Sequence, residues 1–114
     1  MSTAEIVLGG RLPLKEHGRT IFVALDDVEF LEAERNYVQV HAGNGQYRVR
    51  EKLSTFAATL PGNDFVQIHR SVIVNLHHVA QVVRGLHETA DVHLKGRTEV
   101  LPVSRSYLHL FRQM

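Results

Sequence analysis

The chain of 114 residues contains no cysteine and no tryptophan, and only three prolines. Without thiols there can be neither disulfide stapling nor a thiolate metal site. Long apolar runs are also lacking: none approaches the roughly 20 residues that span a bilayer, so no membrane contact is expected of this domain. The opening MSTAEIVLGG has no basic stretch followed by an apolar core and a cleavage site, which leads to the expectation of a cytoplasmic protein. Catalytic signatures are missing too. There is no G-x-S-x-G elbow, no glycine-rich phosphate loop and no carboxylate pair at a strand end. Ser71 beside His69 is a superficial couple without an anion site, and no enzyme is expected. Eight histidines are present, with His77-His78, His87 and His93 close in sequence. No H-E-x-x-H spacing accompanies them, and neighbours on a strand would point to opposite faces, so neither a metal nor any other cofactor is expected.

What is present fits one compact domain, with 44% apolar and 22% charged residues in a chain too short for two ordinary cores. The net charge of +1 conceals an asymmetry: residues 1–34 hold three basic and seven acidic side chains, whereas residues 35–114 hold ten basic and five acidic. A local excess of Arg and Lys on loops can offer a phosphate-facing surface while the acidic remainder keeps the protein in solution.

Residues 1–10 end in Gly9-Gly10 and read as a lead-in or linker segment, leaving 11–114 as the domain. An extended piece from Arg11 leads to a turn near Glu16-His17-Gly18 and a strand over Thr20–Leu25, broken by Asp26-Asp27. VEFLEAE then reads as a half-exposed strand ending at Arg35-Asn36. YVQVH alternates strictly, Gly43-Asn44-Gly45 offers left-handed backbone for a hairpin, and QYRVR returns. In EKLSTFAATLP the residues Leu53, Phe56, Ala57 and Leu60 recur at helical spacing until Pro61-Gly62. FVQIHRSVIVNL follows: two strand-like runs close on a hydrophilic knot, His69-Arg70-Ser71, whose arginine must reach an edge, a bend or a partner. HHVAQVVRG, ADVHL and TEVLPV complete the strands, and Ser104 reads as the N-cap of a last helix, RSYLHLFRQ, with Tyr107, Leu108 and Phe111 available to pack. The class is mainly β, antiparallel, with eight or nine strands and two short helices; spacing leaves barrel and stacked sheets both open.

Basic residues stand at both helix starts: Arg50 and Lys52 at the first, Arg105 at the second. Positive charge there opposes the helix dipole by about 0.3–1 kcal/mol each, and becomes favourable when a phosphate approaches. Together with Arg70 and Arg35-Asn36 this makes four basic loop sites.

The strings FLEAERNYVQVH, YRVREKLSTFAATLP, FVQIHRSVIVNL and LPVSRSYLHLF, in this order and spacing, resemble the LytTR-type DNA-binding domain of bacterial transcription regulators, over about residues 20–112. The resemblance implies an elongated arrangement of short antiparallel sheets whose loops enter double-stranded DNA, often as pairs on imperfect direct repeats, with a possible homodimer on DNA. It further implies that Arg35, Asn36, Tyr37, Arg70 and Arg105 are the base-contact candidates. Beside them Arg48, Arg50, Lys52, His69, Ser71 and Ser104 suit phosphate contacts, with Lys95 and Arg97 weaker. Arg70 and Arg105 carry the planar fork that matches guanine O6 and N7, and Asn36 could pair with adenine. Neutralising about six phosphates would give a logarithmic salt slope near −5. His69 is expected to order the knot through its ring.

No receiver domain or membrane sensor fits within 114 residues, so the expectation is a free-standing regulator or the output piece of a longer protein, with the linker-like start favouring the second. The competing class is a β-rich protein-interaction module that uses exposed strand edges without DNA and tolerates loss of Arg70 and Arg105.

Overall fold

A computed structural model describes residues 9–111; residues 1–8 of the expected lead-in and residues 112–114 lie outside them. In chain order the strands are β1 (Arg11–Glu16), β2 (Arg19–Ala24), β3 (Val28–Glu34), β4 (Tyr37–Ala42) and β5 (Gly45–Val49). The helix α1 (Leu53–Thr59) follows, then β6 (Phe65–His69), β7 (Val72–Asn75), β8 (Val79–Arg84), β9 (Ala90–Leu94) and β10 (Val100–Val103). Among the described residues ten strands form where eight or nine were expected, and every pairing between them is antiparallel.

Three sheets result: β1-β2, a five-stranded sheet in the order β5-β4-β3-β7-β6, and a three-stranded sheet β10-β9-β8. They stack in layers rather than close into a barrel. One core, on one face of the five-stranded sheet, joins Leu12, Leu14 and Val23 of the first hairpin with Leu31, Val38 and Val40 of the sheet and Leu53 and Phe56 of α1. A second core lies on the other face, where Phe30, Ile68 and Val74 meet Val92, Leu101 and Val103 of the small sheet and Phe111. The outline is elongated, with extents of 45 × 25 × 24 Å.

Burial on both faces explains one departure from the sequence expectation. VEFLEAE is not half-exposed: β3 is the middle strand, Val28–Leu31 are buried, and a bulge between Val28 and Phe30 sends these two residues, which a regular strand would set on one face, to different layers. Glu29 is buried with them because Arg97 Nε donates to its Oε1 at 2.5 Å.

Local chemistry accounts for the other departures. Asn75 Oδ1 accepts from the His77 N–H at 3.0 Å and opens a 3-10 turn over Leu76–His78, so the paired histidines stand on a turn and not on a strand. In the β4–β5 hairpin neither Gly43 nor Asn44 takes a positive φ; only Gly45 does, at +151°. α1 begins and ends as the spacing predicts, but Ala57 is exposed. The last segment, Arg105–Phe111, is a 3-10 helix, because the Tyr107 N–H bonds the Ser104 carbonyl three residues back at 2.9 Å.

Candidate nucleic-acid interface

Register gathers the basic turns at one end of the five-stranded sheet. β3 and β7 run antiparallel with Glu32 opposite Val72, and the Ala33 N–H bonds the Ser71 carbonyl at 2.8 Å. The β3–β4 turn, Arg35-Asn36, and the β6–β7 turn, Arg70-Ser71, therefore leave the sheet side by side. β5 ends there as well, since Val49 pairs with Val38 and the next residue, Arg50, comes opposite Tyr37. The third group is tied in from the small sheet: the Ser104 N–H bonds the Ile68 carbonyl at 2.9 Å, which sets Arg105 beyond the end of β6. Arg35, Asn36, Arg48, Arg50, Lys52, Arg70 and Arg105 are exposed at this end; Tyr37, His69, Ser71 and Ser104 are half-buried.

Tyr37 organises the first cluster. Arg50 Nη2 donates to its phenol oxygen at 3.1 Å, and the guanidinium carbons of Arg48 and Arg50 lie 5.2 and 5.5 Å from its ring centroid. The Arg50 hydrogen bond, followed by the charges of Arg50 and Arg48, lowers the phenol below its usual value of 10.0 despite some desolvation. Arg48 also donates to Glu34 Oε2 at 3.2 Å, which leaves Arg35, Arg50 and Lys52 as the cations around an open cleft of about 590 Å³. Arg35 holds a positive φ of 50° in a two-residue turn, a conformation that disfavours a side chain and aims this one outward.

The knot at the β6–β7 turn is fixed from inside. The Ser71 N–H and Oγ both reach His69 Nδ1, at 3.2 and 2.9 Å, and Gln67 Nε2 donates to the carbonyls of His69 and Arg70 at 3.1 and 3.4 Å. With His69, Ser71 and Gln67 so occupied, the turn is rigid and Arg70 is its free arm.

Two of the weaker candidates fall elsewhere. Lys95 follows β9 at the end of the small sheet opposite to Arg105, and Arg97 is committed to Glu29, whose hydrogen bond raises the guanidinium further above its already high range. α1 has only seven residues, its N-cap Lys52 makes no side-chain capping bond, and its first turn carries no acid, so the dipole can add little to what the basic side chains supply.

Sequence reasoning passed over a further element at this end. The β8–β9 hairpin tip shares a cleft of about 170 Å³ with Arg105, whose walls include Arg84, Gly85, Glu88 and Thr89. The signal was available in the short turn string GLHET between two strand runs. Among the described residues no group of three or more His, Asp or Glu side chains could hold a metal, and no helix is long and apolar enough to cross a membrane.

The family model of the LytTr DNA-binding domain matches residues 18–114. The chain belongs to that family. An uncharacterized response regulatory protein of Vibrio cholerae is 34% identical over 94 residues, covering 79% of this chain and 35% of that protein. The transcriptional regulatory protein YpdB of Escherichia coli K12 is 29% identical over 96 residues, with 84% and 39% covered, and the sensory transduction protein LytT of Bacillus subtilis 27% over 97 residues, with 85% and 40%. The chain thus spans well under half the length of these relatives. Among solved structures, the LytTr DNA-binding domain of a Bacillus cereus methyl-accepting/DNA response regulator superposes with a TM-score of 0.80 at 31% identity, covering 91% of this chain and 94% of that one. The LytTr match begins after β1, which is nonetheless packed into the first core.

Proposed function

We infer that this LytTr domain is the output unit of a bacterial transcription regulator and reads duplex DNA with turns rather than with a recognition helix. The observation that carries this is the convergence of the Arg35, Arg70 and Arg105 turns at one end of a rigid sheet. Arg70 and Arg105 are the guanine readers and Asn36 an adenine reader, because their donor patterns match those base edges. Arg50, Lys52 and Ser104 hold phosphates and set register, while Arg48, paired with Glu34, and Ser71, bonded to His69, steady the turns. Tyr37 and His69 act by fixing their neighbours rather than by touching DNA. The partners are double-stranded DNA carrying imperfect direct repeats, a second copy on the adjacent repeat, and a receiver or sensor domain upstream; the location is the cytoplasm.

The test is selection of bound duplexes from a randomised pool, followed by fluorescence anisotropy. An enriched motif, bound with a slope near −5 in log K against log salt, is expected. A pool that emerges unenriched at low salt defeats specific recognition.

A further inference from the structure

The tip of the β8–β9 hairpin is built to display an apolar side chain. Leu86 is 82% exposed, the highest value among the exposed large apolar residues of the described chain. It is also not loosely held. The Gly85 N–H bonds the Thr89 carbonyl at 3.0 Å, Thr89 Oγ1 donates to the Leu86 carbonyl at 2.9 Å, and His87 and Glu88 both take left-handed backbone, with φ of 59° and 55°. A Cβ at Gly85 would come within 2.4 Å of Thr89 Oγ1 and displace that hydroxyl, so glycine there preserves its bond to the Leu86 carbonyl. Two side-chain-bearing residues in a disfavoured region mark strain that the turn retains to hold this shape.

The location gives the display its meaning. Gly85 and Glu88, which flank Leu86 in the turn, line the same cleft as Arg105, so a duplex that receives Arg105 in a groove passes beside the tip. Glu88 on that wall opposes a phosphate. The apolar group that a base edge offers in the major groove is the thymine 5-methyl.

We propose that Leu86 is a specificity-determining residue that packs against a thymine methyl group next to the base pair read by Arg105. The proposal rests on the DNA-binding function argued above. It makes the hairpin tip a fourth contact element, one that discriminates by shape and apolarity where the arginine turns discriminate by hydrogen bonds.

The test uses the duplex enriched from the randomised pool, with each thymine replaced singly by deoxyuridine, which removes only the methyl group. At one or two positions the replacement should weaken binding of the unaltered protein about three- to tenfold, the scale of a lost methyl contact. Leu86→Ala should weaken binding of the parent duplex by a similar factor and be insensitive to deoxyuridine at those positions. Leu86→Met, which keeps apolar reach, should retain the sensitivity, and both variants should melt with the unaltered protein. An enriched motif without thymine, or deoxyuridine effects equal in the unaltered protein and Leu86→Ala at every position, overturns the proposal and leaves DNA binding standing. A pool without enrichment overturns both.

Discussion

Arg50 reaches across the β4–β5 ladder and donates from Nη2 to the phenol oxygen of Tyr37 at 3.1 Å. Both residues sit at the end of the sheet where the basic turns emerge, so the bond fixes a cation that would otherwise sweep through solvent. Pre-ordering of this kind matters to a phosphate contact because rotamer freedom lost on binding weakens it. Tyr37→Phe, which keeps the ring and deletes the bond, should lower DNA affinity about two- to tenfold with little change in melting temperature. Anisotropy at fixed salt, beside a thermal melt, checks both parts.

The same pair should be visible spectroscopically. Arg50 lowers the Tyr37 phenol, so a titration that resolves Tyr37 should show it ionising below 10.0, and Arg50→Ala should return it upward. The sign of the linkage follows from a folded-state value lying below the unfolded one. At neutral pH the phenol is protonated in both states and the shift adds nothing; stability from it appears as pH rises through the folded value and is complete above the unfolded one.

Arg97 and Glu29 have side chains only 19% and 11% exposed, and the guanidinium also lies 5.4 Å from the Phe30 ring centroid. Arg97→Ala would strand a buried carboxylate and should cost about 2–4 kcal/mol of folding stability in urea denaturation. The folded fraction should bind DNA as before, because the pair lies away from the basic turns.

Arg70 and Arg105 are exposed at the ends of rigid elements. Arg70→Ala and Arg105→Ala should each relax preference at a different base position, by about 1–3 kcal/mol, while the melting temperature stays close to the original. Selection from the randomised pool with each variant gives the readout; loss of the same position in both would contradict separate roles.

Lys52 adjoins the cleft beside Arg35 and Arg50 but makes no capping bond. Lys52→Ala should weaken binding evenly across sequences and reduce the magnitude of the salt slope by about one. A titration series across salt concentrations measures it.

Much of this architecture could be read from residues alone, and the limits have physical causes. Strict alternation in YVQVH and QYRVR fixed the β4–β5 hairpin, and counting outward from its turn would have set Tyr37 opposite Arg50, so that contact was legible though not drawn. By contrast, the neighbour of β3 on its far side is β7, with Phe30 opposite Val74. Period-2 patterning says which face a residue takes and nothing about which distant strand it meets. Glu29 was misjudged for the same reason: a carboxylate reads as exposed until its partner, Arg97, is brought from 68 residues downstream. Leu86 escaped notice because an apolar residue in a turn has no sequence pattern that separates display from burial.

β1 carries one more consequence. Leu12 and Leu14 are 0% and 1% exposed, and Glu16 Oε2 receives the Arg48 N–H at 3.0 Å, on the outer rim of β5. Trimming the protein back to residue 18 should uncover the core that Leu12 and Leu14 cover and strip that rim of its carboxylate, with a lowered melting temperature as the readout. The backbone that enters at Arg11 is thereby tied, through one carboxylate, to the strand bearing Arg48.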